Sequence, residues 1–170
     1  MAGFVKPEIV RYRGGTCVSR EEQPQKQAVT YLKGAFVALD SNGELLEIST
    51  TPASVTGIYA IDHYNSDPTA VVPVADRQRN VEPVTVDGEI RISISHSGDE
   101  LLAVTAQNLV GKKYELRKVV ASGEDYWTVD INGTSNPAVQ IQKISPEFPL
   151  GEQHGTVYVK VNKTLLQFQP

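Results

Sequence analysis

His63, His96 and His154 are the three histidines of this 170-residue chain, and Cys17 is its single cysteine. No His-x-His or HExxH arrangement is present, so no two imidazoles have the spacing that places them on one zinc ion. A lone cysteine leaves neither an intrachain disulfide nor a cysteine-based zinc site. The 20 acidic residues become a general acid and base only when two face each other across a cleft. Any chain with that many could do so somewhere, so the number selects nothing. Ser95-His96-Ser97 sets hydroxyls beside an imidazole, but without the elbow pattern that exposes a nucleophile. Asp125, Asp130, Asn132 and Gly133 supply the residue types of a calcium loop at a spacing that fails the EF-hand pattern. The residues argue against an enzyme and nominate no catalytic residue, no metal ligand and no cofactor.

Two further groups could bind rather than react. Lys112, Lys113, Arg117 and Lys118 form a basic cluster. On a strand, however, Arg117 and Lys118 point to opposite faces, and aromatic residues do not interleave with them as a single-stranded nucleic-acid groove requires. With a net charge of −4, no specific nucleic-acid partner is expected. Tyr126, Trp127 and Tyr158 are the aromatic surfaces on which a sugar ring would stack, although Trp127, the only tryptophan, reads more simply as core. No apolar run approaches the roughly 20 residues of a membrane helix, and the N-terminus lacks the apolar core of a signal peptide. Asn132-Gly133-Thr134 and Asn162-Lys163-Thr164 are therefore read as chance matches to the glycosylation pattern.

The elements that would position these residues are strands. Ala35 to Leu39 is a short apolar run, Asp40-Ser41-Asn42-Gly43 a tight turn, and Glu44 to Ser49 a returning strand. Gly57 to Ile61 then closes a predicted three-stranded meander. Val71 to Ala75 is an edge strand because Pro73 cannot donate to a ladder. Val81–Val86 and Glu89–Ile94 flank Asp87-Gly88, the clearest hairpin signal in the chain, with Ile90, Ile92 and Ile94 on one face. Ser97 and Glu100 have the spacing of a capping box. Leu101, Leu102, Thr105 and Leu109 follow at helical spacing and Gly111 ends the segment, which predicts one short helix. Tyr114–Val120, Tyr126–Ile131, a strand holding Val139, Ile141 and Ile144, Gly155–Val161 and Leu165–Phe168 complete the series. Strand signals at this interval point to an all-β fold, a compact antiparallel barrel or sandwich.

Residues 1–27 read as an N-terminal arm and linker, and 28–170 as a β-rich body with a sub-boundary to be sought near residue 110. Residues 1–20 carry a net +3 and the remainder −7. This asymmetry fits either an arm that docks on something acidic or a solvated terminus. Phe4, Val5, Ile9, Val10 and Tyr12 give the segment apolar anchors. On the first reading, deleting residues 1–24 leaves the body folded.

Lys33-Gly34-Ala35-Phe36-Val37-Ala38-Leu39, Gly43-Glu44-Leu45 and Gly57-Ile58 resemble the opening pattern of tailed-phage capsid decoration (cement) proteins. Gly111 to Leu116, Tyr126 to Asp130, Val139 to Ile141 and Gly155 to Val161 look like the second part of the same kind of protein. The resemblance spans about residues 30–165 and carries no catalytic signature. It implies a viral structural protein on the outer capsid surface, partnered by the major capsid protein and by itself as a homotrimer or dimer. Such a protein bridges capsomers against the pressure of packaged DNA. Phe4, Ile9, Arg11, Tyr12 and Arg13 would be the capsid contacts. Two other readings remain: a carbohydrate- or ligand-binding β-module, and another virion part such as a tail or head-completion component.

Overall fold

A computed structural model describes residues 3–11, 21–26, 29–31, 33–53, 55, 57–59, 64–65, 78–85 and 87–167. Its strands are β1 (Glu8–Arg11), β2 (Glu21–Pro24), β3 (Thr30–Tyr31), β4 (Phe36–Leu39), β5 (Leu45–Glu47), β6 (Gly57–Tyr59), β7 (Tyr64–Asn65), β8 (Gln78–Pro83), β9 (Glu89–Ser95), β10 (Lys113–Ala121), β11 (Glu124–Asp130), β12 (Val139–Ile144) and β13 (Thr156–Val161). The expected strand Val71–Ala75, with His63 and Cys17, lies outside the described residues.

The second half of the chain closes a five-stranded barrel in the order β9-β11-β10-β12-β13, with β13 returning to β9. All its pairs are antiparallel except β9 with β11, which run parallel through Ile94 opposite Val129. Alternation fills the interior: Ile90, Ile92, Ile94, Leu116, Val129, Ile141, Val157 and Val159 are buried, each such side chain contributing about 1.5–3 kcal/mol relative to exposure. A bulge between Ile141 and Lys143 shifts the register of β12. Val139, Ile141 and Ile144 therefore oppose Val161, Val159 and Val157 in turn. The uneven spacing of those three apolar residues is the sequence trace of that bulge.

The first half builds a five-stranded sheet, β2-β8-β6-β4-β5, and a separate two-stranded antiparallel ladder of β3 with β7. The β4–β5 hairpin forms as expected, held by Asp40, whose Oδ1 accepts from the N–H of Asn42 at 2.8 Å and of Glu44 at 3.1 Å. The meander does not: β6 pairs with β4 rather than with β5, because the break around Pro52 carries the chain across to the other edge. The two sheets share one hydrophobic core, with Phe36, Val37, Leu45 and Val55 from the first half and Trp127 from the second.

Three further expectations are corrected. The Asp87-Gly88 turn exists, with the Gly88 N–H donating to Thr85 O at 3.0 Å, but it joins no hairpin. β8 pairs with β2 and β6, while β9 pairs with β1, β11 and β13; the turn is the joint between the two sheets. The single short helix is replaced by two 3-10 turns, Glu100–Leu102 and Gln107–Leu109, because Val104 between them bridges Gln153. Asp99, not Ser97, caps the first of these, accepting from Leu101 N at 2.9 Å. Finally, the N-terminal segment is not an arm held away from the body. β1 pairs with β9 and β2 with β8, so removing residues 1–24 takes one strand from each sheet.

Candidate interaction face

Residues 5–7 touch both halves of the chain, Ser93 in the barrel and Gly34 ahead of β4. Ile9 is only 7% exposed and belongs to the common core, which explains why an apolar residue in a basic leader holds the segment down. The Val5 N–H donates to Ser93 Oγ at 2.9 Å, Lys6 pairs with Glu124 at 3.2 Å, and Glu8 with Arg91 at 2.7 Å. Pro7 is buried, and the segment passes directly over Gly34. Gly34 has φ +84°, and a Cβ there would meet Lys6 Cβ at 3.0 Å and Pro7 Cδ at 3.2 Å. A glycine is thus required twice over, by backbone conformation and by close approach.

The ring of Phe4 lies 4.4 Å from that of His154 and 5.8 Å from that of Tyr126. His154 is buried at a left-handed φ of 56°. Its Nδ1 has no hydrogen-bond partner among the described residues and stands 3.8 Å from Glu100 Oε2. Glu100 Oε1 takes the Arg117 guanidinium at 2.5 Å, and Oε2 accepts from the His96 N–H at 3.3 Å. Of the five residues expected to contact a partner, Ile9 is thus in the core and Phe4 is half-buried on the body. Arg11 ends β1, and Tyr12 and Arg13 lie outside the described residues.

Two members of the basic cluster, Arg117 and Lys118, are drawn into the body's own ion pairs. Arg117 and Lys118 do point to opposite sides: Arg117 meets Glu100, while Lys118 meets Asp125 at 2.7 Å and Glu47 at 3.0 Å. Burial pulls the Lys118 ammonium pKa down, but its hydrogen bonds to Asp125 and Glu47 outweigh that and leave it above the ordinary lysine value. Trp127 is 3% exposed, lies edge-on to Phe36 with centroids 6.0 Å apart, and donates its indole N–H to Glu47 Oε1 at 2.8 Å. It therefore has no open face for a sugar. Tyr126 lies beneath Phe4, and Tyr158 carries Lys143 Nζ at 4.4 Å from its ring centre. Asp130 Oδ1 accepts from the N–H groups of Ser97 and Asn132 at 3.0 and 3.1 Å and so anchors the loop that follows β11.

Sequence reasoning missed the roles of Glu47, Glu100 and His154. Their partners lie far along the chain, and the capping-box pattern gave Glu100 a different task. No protein-family model, curated protein or solved structure matches the chain.

Proposed function

We propose that this chain is a structural virion protein that binds the outer surface of a tailed-phage capsid, bridges neighbouring capsomers and so stabilises the head against internal DNA pressure. Its partners on this reading are the major capsid protein and further copies of itself, as a trimer or a dimer. The observation that carries the reading is the bracing between the sheets. Glu47 of the first sheet holds both Trp127 and Lys118 of the barrel. The chain after β13 returns to the first sheet, where Val55 N donates to Leu165 O at 2.6 Å and Gln167 exchanges two 2.8 Å bonds with the backbone of Leu39. Residues 5–7 then touch both halves as a strap, Val5 on Ser93 of the barrel and Lys6 and Pro7 on Gly34 ahead of β4. A body whose halves are tied by core, clasp and strap resists shear between them, as a protein bridging two capsomers must. The resemblance over residues 30–165 supplies the identity of the surface, and multivalent attachment would add avidity without strong single contacts.

The test uses the full chain and point substitutions, since truncation removes strands. Wild-type protein added to expanded heads lacking it saturates them at many copies per head. Arg11→Glu with Arg13→Glu weakens binding about tenfold, with weakening at high salt and no change in Tm. Failure of the wild type to bind heads overturns the reading. Unchanged binding by the double variant removes Arg11 and Arg13 from the contact.

A further inference from the structure

Five large apolar side chains are exposed among the described residues, and three of them, Leu101, Leu102 and Leu150, stand on two loops that are stitched together. Thr105 N donates to Glu152 O at 3.0 Å, Gly151 N to Thr105 O at 2.7 Å, and His154 N to Ala103 O at 2.8 Å. Thr105 Oγ1 donates to Pro149 O at 2.7 Å, and Gln153 Nε2 to Glu100 O at 3.0 Å. Ala103 and Thr105 are buried beneath, so the two loops form one fixed platform. On it Leu101 is 72%, Leu102 55% and Leu150 59% exposed. Single exposed leucines are ordinary; several on a pre-ordered surface are the makings of a binding hot spot, because little side-chain or loop entropy remains to be lost on contact.

The charge around them selects the partner. Residues 96–105 and 146–154 carry Asp99, Glu100, Glu147 and Glu152 and no lysine or arginine. Glu100 and Glu147 lean on Arg117 and Arg91, while Asp99 sits exposed beside Leu101. Bringing the same face of a second copy against this one would oppose like charges. A segment both apolar and basic would be complementary. We infer that the leucine platform docks a basic, apolar segment of a partner protein. The three leucines lie outside the N-terminal segment, although that segment abuts the same loops, Phe4 packing on His154 at 4.4 Å.

Isotope-labelled full-length protein, titrated with a short amphipathic leucine–lysine peptide, tests this by amide chemical shifts. The expected result is saturable shifts confined to residues 99–105 and 147–154, lost at high salt and absent with a leucine–glutamate peptide of the same pattern. Leu101→Ser with Leu102→Ser, and Leu150→Ser separately, should each weaken the interaction at least about tenfold, with the remaining spectrum unchanged. Shifts scattered over the surface, equal binding of the acidic peptide, no saturable binding, or indifference to the substitutions overturns the inference.

Discussion

Glu47 holds two donors of different kinds, the neutral indole N–H of Trp127 and the ammonium of Lys118. Glu47→Ala leaves the buried indole unsatisfied and should cost about 1–3 kcal/mol in urea unfolding, whereas Glu47→Gln keeps an acceptor for Trp127 and should cost less. The Lys118 pKa is raised, and burial pushes the Tyr114 hydroxyl pKa up as well. Each group therefore contributes stability that is complete below its unfolded pKa and lost as pH rises through its folded pKa. Unfolding free energy should thus hold at neutral pH and fall once pH passes about 10. Lys118→Met should make that alkaline decline shallower, while a pH-independent loss in the variant would show that packing, not charge, was removed. That Trp127 is core was legible from the sequence, because a lone tryptophan in an alternating strand usually is. That Glu47 accepts from it was not, since the two are 80 residues apart and no local pattern encodes such a partner.

Turns and strands were legible where chemistry is local, and misread where the neighbour decides. Asp87-Gly88 has the stronger hairpin composition, yet it joins two sheets. The actual two-residue hairpin is Ser122-Gly123, both at positive φ, between the paired residues Ala121 and Glu124. The leucines at 101 and 102 fit a helical period, but a second loop captures Val104 as a bridge and turns them to solvent. Packing of that second loop makes a sharp prediction. A Cβ at Gly155 would lie 2.7 Å from Thr105 Cγ2 and 3.2 Å from Phe148 Cβ. Gly155→Ala should therefore cost about 1–3 kcal/mol, and Thr105→Ser in the same chain should recover part of it. The strap is tested by Ile9→Ala, expected to cost about 2–5 kcal/mol. Ile9→Ala should also speed hydrogen exchange at β1 and at its partner residues Glu89–Arg91; a change confined to β1 would mean the strap is not part of the core.

The fold joins a closed barrel from the second half of the chain to a sheet from the first, with the change of sheet between Pro83 and Glu89. An all-β architecture was legible from the alternation and the turn residues. The division was not, because β8 and β9 are neighbours in sequence that pair with different partners. The segment read as an arm is instead a strap, since the same apolar residues that suit it to another surface suit it to its own body. Gly34, one of the glycines that carries the resemblance to decoration proteins, has a physical reason in this chain: the strap runs over it. Gly34→Ala should lift the strap and lower Tm, and on the proposed function it should weaken attachment to heads by a larger factor than its effect on stability alone. The most direct measurement is electron cryomicroscopy of expanded tailed-phage heads mixed with the purified protein. The account predicts its density in many copies spread regularly over the outer shell, each bridging adjacent capsomers. A ring at a single vertex, or a shell without it, would contradict the account.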